Sequence, residues 1–500
     1  MPNIIAYLAL FIWPIVAILL FRLLPLQKAL VWTIIGGYLL LPTATYIKFP
    51  MVPPIDKTTV TSVPALILCL LMAPRQLPNP APLARTGRHV FLLLFLVVIT
   101  SPVLTVLQNT EPVINGRVFI PGLRLYDAMS LISELLVSLI PLWLGLRYLN
   151  SRDGLRTILQ VLAIGGLAYT IPVLFEVRFS PQLHTWIYGF FPHSFLQHIR
   201  EDGFRPVVFL SHGLLVGIYL CIASLAAATL FREARREGRP AVWWFLSTVW
   251  LLGVLSVSKN FGAMTIALVL TAAVLLLGRR PQLIIGLAIA TVVIFYPILR
   301  GAGWIPVDAV YEYVQSINPD RADSLKYRLD NEDAVLARAS EKPLLGWGSW
   351  GRELIYDPGT GRLLSIVDGI WVRVIGSFGW IGYIGRFGLL TAPILLFALR
   401  RRSVGDSFLP IGLIITLGAT LIDLLPNSGL VNYVWLMAGA VAGHALWWRD
   451  PDTEAAAQGD PAGQVATQPF AAPPRPAWLM PDTGPTGRRV PRPHDTSRRR

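Results

Sequence analysis

Apolar residues fall along this chain in long runs, interrupted by charged residues or by Pro and Gly. A helix needs about 20 predominantly apolar residues, within a range of about 17–25, to cross a bilayer. On that criterion the runs predict about thirteen spanning helices: Ile4 to Leu24, Val31 to Ile47, Val60 to Ala73, His89 to Val106, Tyr126 to Leu149, Leu155 to Phe175, Pro206 to Phe231, Ala241 to Val257, Phe261 to Leu277, Gln282 to Leu299, Gly369 to Leu399, Leu409 to Leu425 and Val431 to Trp448. The second and third are short. The fold class expected is all-α, a polytopic integral membrane protein with 12–13 transmembrane helices and one long polar connection, from about Arg300 to Ile366. The predicted organisation is an N-terminal bundle over 1–176, central helices over 177–299, a long outer loop over 300–368, C-terminal helices over 369–448 and a tail over 449–500.

Lys and Arg should gather in alternate loops on the cytoplasmic side. Arg22 and Lys28, then Arg75, Arg85 and Arg88, then Arg147, Arg152 and Arg156, then Arg232, Arg235, Arg236 and Arg239, then Arg279 and Arg280, and finally Arg400, Arg401 and Arg402 all follow odd-numbered spans. Their shared parity predicts an outer N-terminus, a cytoplasmic C-terminus and an outer 300–366 connection, which fits a bacterial inner membrane with a periplasmic loop. The first run, MPNIIAYLALFIWPIVAILLFRLLP, has no positive region before it and no small-residue cleavage site after it, so a retained helix is expected rather than a signal peptide.

Composition agrees with a membrane chain: 54% hydrophobic residues and only 14% charged, against about 25% in soluble domains. Mean hydropathy is +0.56. The net charge of +14 does not indicate nucleic acid, because the cations sit in short clusters at the ends of apolar runs. Cys69 and Cys221 lie inside apolar runs, so no disulfide framework or cysteine metal site is expected. After Arg449 the chain turns rich in Pro, Gly, Ala and Thr, which predicts a disordered cytoplasmic tail ending in Arg498, Arg499 and Arg500. There is no short-period repeat and no similarity between halves.

Candidate chemistry concentrates in the outer connections, above all in the stretch from Ser324 to Gly388. Four clusters stand out: Glu201-Asp202-Gly203-Phe204-Arg205 before a run with Ser211 and His212; the turn Ser258-Lys259-Asn260; Lys326, Arg328 and Glu332 followed by GWGSWGR at Gly346 to Arg352; and Asp368-Gly369 with Arg373 and Arg386 behind it. Arginine suits a diphosphate because its planar fork makes bidentate, charge-assisted hydrogen bonds. Arg205, Lys259 and Arg328 could stabilise a leaving diphosphate while Asp368 accepts a proton from an attacking hydroxyl. His212, Glu332 and Arg373 are further candidates. The ordinary alternatives are solvated loop charges, a helix N-cap at Asp368 and a snorkelling Arg373. His184, His193 and His198 share one outer loop, but without cysteines and with only two closely spaced no metal site is expected. The GWGSWG run lacks the Lys-Ser/Thr of a phosphate loop; its tryptophans suit sugar stacking or the membrane surface.

The sequence GFRPVVFLSHG, then VSKNFGA, then R-x-x-x-E-x-x-x-x-x-x-A-x-x-x-P-L-L-G-W-G from Arg328, then Asp368-Gly369 and G-x-x-G-W-I-G resembles the O-antigen ligase and O-antigen polymerase superfamily over roughly Arg200 to Arg402. The resemblance implies a metal-independent membrane glycosyltransferase, without cofactors, that takes an undecaprenyl-diphosphate-linked glycan donor and a glycan or lipid acceptor at the periplasmic face. It implies that Arg205 and Arg328 stand at the diphosphate-binding positions and Lys259 where many members carry Arg. Asp368 stands where ligases of the family usually present His. Other polysaccharide assembly proteins are implied partners.

Two other readings remain open at this level. A transporter or flippase would place its ionisable residues near the midplane in paired positions, and Glu134, Glu176, Asp423 and His444 are the inner candidates. A non-catalytic assembly subunit would tolerate Ala at Arg205 and Arg328.

Overall fold

The computed structural model describes residues 1–49, 52–73, 84–200, 203–317, 319–365, 367–399 and 406–447. The expected tail at 449–500, and Glu201, Asp202, Arg75 and Arg400 to Arg402, lie outside the described residues. Residues Met1–Arg449 form one compact unit. The chain is an all-α polytopic membrane protein, and every predicted run contains a helix. These are α1 (Ile4–Leu23), α2 (Leu26–Leu40), α3 (Lys57–Met72), α4 (Ala84–Gln108), α5 (Leu125–Tyr148) and α6 (Arg152–Phe179), then a short α7 (Leu183–Tyr188), then α8 (Gly213–Arg236), α9 (Val242–Val257), α10 (Phe261–Leu276) and α11 (Arg279–Gly301). After α12 (Val307–Ile317) and α13 (Pro319–Ser340) come α14 (Ile370–Leu399), α15 (Leu409–Asp423) and α16 (Asn432–Trp447). Seven of them, α1, α4, α5, α6, α8, α11 and α14, are long and apolar enough to cross a membrane. α8 is the central one, buried along most of its length, and α1 lies at the rim with Ile4, Phe11 and Ile15 exposed.

Hydrogen bonds between connections sort the helix termini to two ends. At one end, Asn3 N–H donates to the Tyr188 carbonyl, Asn432 Nδ2 to Thr61 and Ser62, and Ile370 N–H to the Asn427 carbonyl. At the other, Gln27 donates to the Tyr148 carbonyl, Arg156 pairs with Glu237, Glu233 accepts from Ser407 and Phe408, and Arg279 pairs with Asp406. The basic clusters around Arg156, Arg232 to Arg239 and Arg279 therefore share an end, opposite the one that holds α7, α12 and α13.

The expected 300–366 loop is largely helical. α12 and α13 follow α11 directly, and Asn331, Glu332, Val335 and Ala339 form a buried stripe at helical spacing along α13. Its high charge content interrupts every apolar run that would mark the stripe in the sequence. α14 is broken at Gly379, whose φ of +61° and ψ of −165° no other residue adopts easily. The groups freed by the break are taken up by the segment after α13. Trp347 and Gly348 N–H donate to the Gly376 and Ser377 carbonyls at 2.8 and 2.9 Å, and Trp380 and Ile381 N–H donate to the Pro343 and Leu344 carbonyls at 2.8 and 3.2 Å.

Elsewhere the bundle closes by backbone contact. α5 and α16 meet through Gly145, Gly439 and Gly443: a Cβ at Gly439 would fall 2.0 Å from the Leu142 carbonyl oxygen, and one at Gly145 2.2 Å from that of Leu436. Small residues four apart allow such approach between membrane helices. Gly439→Val forces these helices apart, an overpacking cost of about 1–3 kcal/mol or more. It is expected to lower the melting temperature of the detergent-purified protein by several degrees, whereas Gly253→Val, at a position with open space around it, leaves it unchanged.

Candidate functional site

The exchange of hydrogen bonds at the α14 break fixes α13 alongside the first half of α14, in parallel. Val335 lies against Gly376, with the side chain of Glu353 packed beside them. Walking back from the junction, about 18 Å along α13 leads from Ser340 to Arg328. About 12 Å along α14 and two extended residues lead to Asp368. The two arrive together: Arg328 Nε is 3.1 Å from Asp368 Oδ2, each side chain 40% exposed. Two predicted site residues forty positions apart thus form one ion pair at a solvent-reached edge.

A second group forms at the α8 N-terminus. The run expected to span from Pro206 enters its helix only at Gly213, and the backbone of 205–212 is not helical. Val207 and Val208 N–H, each 2.7 Å away, donate to one oxygen of Glu176, and Leu183 N–H donates to the other at 3.0 Å. This buried carboxylate ties the approach to α8 against the end of α6. The approach carries Arg205, whose Nη2 donates to the Lys259 carbonyl at 3.2 Å. Lys259 sits at a φ of +58° in the tight α9–α10 turn, and Asn260 Nδ2 clamps that turn to the Gly213 carbonyl. Its Nζ lies 3.5 Å from where a Cβ of Gly203 would be, so Arg205 and Lys259 are neighbours.

His212 joins the two groups. It caps α8, with Nδ1 accepting from Leu214 N–H at 3.0 Å. Burial pushes its pKa down to about 3, helped by His198, His193, Arg205 and Arg328, so both arginines bear on this imidazole. The neutral ring accepts at Nδ1 and therefore carries its proton on Nε2.

Glu332, one turn beyond Arg328 on α13, is buried, and desolvation lifts its carboxyl to about 7 against the opposing pull of Arg300. Arg300 pairs with Asp333 at 2.7 Å, tying the end of α11 to α13. Arg373 is exposed on the first turn of α14, and its charge acts on the buried Glu353, whose pKa burial raises. Glu353 was not anticipated. Its position directly after the GWGSWGR run was the available signal.

Other expectations are redistributed. Trp347 is already engaged by two cations, the Arg338 guanidinium 3.4 Å and Lys342 Nζ 4.4 Å from its ring centroid. Trp350 is about half exposed. Arg352 is buried and donates to the carbonyls of Trp347, Pro121 and Glu111, so it holds the run in place. His184 belongs to an aromatic cluster with Tyr188 and Phe190, its Nδ1 2.8 Å from the Phe190 carbonyl. His193 and His198 gather instead around His212, with ring centroids 4.9 and 4.7 Å from it. Arg386 lies over the Phe378 ring, away from this group.

No protein-family model matches the chain, and no curated protein matches it.

The raised carboxyl of Glu332 gives a pH-dependent prediction. Below about 4.5 it is protonated folded and unfolded. Between about 4.5 and 7 the unfolded state ionises this carboxyl while the folded state keeps its proton, so stability falls across that window and the loss is complete above 7. Glu332→Gln is therefore expected to melt a few degrees above wild type at pH 8 and close to it at pH 5. An equal shift at both values would contradict a buried proton at Glu332.

Proposed function

We propose that the protein is a membrane glycosyltransferase that polymerises or ligates lipid-diphosphate-linked surface polysaccharide units at the periplasmic face of the bacterial inner membrane. The observation that carries this reading is the approach of Arg328 to Asp368, a phosphate-binding type of side chain against a carboxylate, on two elements that an internal helix break holds in register. Arg205, Lys259 and His212 stand at the same end of the bundle. The opposite end collects the Arg clusters, which supports assigning that end to the cytoplasm and the site to the periplasm.

In this reading the donor's diphosphate binds Arg328, Arg205 and Lys259. The acceptor hydroxyl attacks the anomeric carbon, the bond from that carbon to the diphosphate oxygen breaks, and the carrier diphosphate leaves. Direct displacement inverts the anomeric centre. Asp368 accepts the hydroxyl proton, and the cations hold the charge that develops on the leaving group. The ion pair has a role here: phosphate oxygens compete with Asp368 for Arg328, so donor binding frees the carboxylate to serve as base.

A transporter draws less support. Glu176 is bonded to three backbone N–H groups, Asp423 accepts from Asn427 Nδ2, His444 Nδ1 meets the Asn150 carbonyl, and Glu134 lies 3.9 Å from Lys48. All four have local structural partners.

The test is a profile of lipid-linked and surface glycans in the native host after deletion and complementation. Single repeat units on deletion identify a polymerase; full-length polymer retained on its carrier identifies a ligase. Arg328→Ala and Asp368→Ala are each expected to lower transfer by on the order of 100-fold or more at normal membrane levels. Arg328→Lys should restore part of it by keeping the charge without the fork. Full complementation by both alanine variants would sink the assignment, and an unchanged profile on deletion would favour transport.

A further inference from the structure

Three of the chain's seven histidines meet at the mouth of the site: His193 and His198 from the loop after α7, and His212 from the cap of α8. One ring nitrogen from each lies within 4.8 Å of the others. We propose that His193, His198 and His212 form a binding site for a divalent transition-metal ion of the zinc class.

The donor set is what such an ion takes. Neutral imidazole is the commonest metal ligand, and three imidazoles with one open position suit tetrahedral zinc. Zinc–nitrogen bonds of about 2.0–2.1 Å put tetrahedral ligand nitrogens about 3.3 Å apart. The rings therefore close by about 1.5 Å or less, and His193, which is exposed, has room to move. His198 is the anchored ligand: it is fully buried, its ring lies against Phe191, and its carbonyl accepts from Arg205 N–H at 2.8 Å. Packing alone explains this less well. Aromatic filling needs no convergence of nitrogens, and the neighbouring positions Phe191 and Phe195 are filled by phenyl rings that meet each other at 5.4 Å.

Metal binding has one local cost. Whichever nitrogen of His212 coordinates, the bond from Leu214 N–H is lost, because a metallated imidazole carries its remaining proton on the other nitrogen. Arg205 and Arg328 bear on the same ring and disfavour a bare dication, so the fourth ligand is expected to be an anionic oxygen. The site stands independently of the glycosyltransferase reading, since metal content is measured without any glycan.

Full-length protein in detergent is stripped with chelator, equilibrated with buffered zinc and assayed for bound metal. About one zinc per chain is expected for wild type and for His184→Ala, whose imidazole lies in the separate aromatic cluster. His193→Ala and His193→Gln, at an exposed position, are expected to keep the wild-type melting curve and weaken zinc binding at least tenfold. Cobalt(II) loaded into wild type should give the intense visible bands of a tetrahedral site, a readout that needs no variant. Absence of stoichiometric zinc from wild type, a six-coordinate cobalt spectrum, or undiminished binding by the His193 variants would overturn the proposal.

Discussion

Four backbone hydrogen bonds at the break in α14 govern where the site residues lie. A chain that crosses a bilayer has to satisfy its backbone polar groups internally, so an interrupted helix needs replacement partners. Here Pro343 to Gly348 provide them, and the same segment is held from the other side by Thr105 of α4 and Asn109 just after it, which donate to the Leu345 and Gly346 carbonyls. α13 ends at this junction and the first half of α14 leads into it. Their common anchor sets the distance back to Arg328 and to Asp368, and the ion pair follows from it.

Three carboxylates near the site show how strongly surroundings determine what one functional group does. Glu176 is fully buried and bonded by three amides, so it shapes backbone. Glu332 is buried among opposing charges and titrates near neutrality. Asp368 is part-exposed and tied to one guanidinium. Glu176 also has a longer reach: by fixing Val207 and Val208 it positions Arg205 on one side and His212 on the other.

The spanning helices were legible because a bilayer imposes a length and a composition that single residues cannot disguise. α13 was not, since its charges conceal a narrow buried stripe. The P-L-L-G-W-G and G-x-x-G-W-I-G motifs were visible as patterns, but their function was not: they are the two halves of one hydrogen-bonded junction, and pairing between segments thirty residues apart leaves no periodic trace. Trp347 shows the same limit. Its residue type suited a sugar, but Arg338 and Lys342 already lie against its ring. For the histidines, spacing within one loop does not show which rings gather, because the third comes from a helix cap outside it.

The glycine contact between α5 and α16 also orders the making of the protein. Leu142 and Gly145 meet Leu436 and Gly439, nearly three hundred residues later in the chain. During synthesis the groove on α5 waits while every intervening helix is inserted, and a contact so distant in sequence closes slowly. The α13–α14 junction, by contrast, is complete as soon as α14 emerges. Truncation of the last helix would therefore leave the α13–α14 segment able to form on a bundle that has not closed.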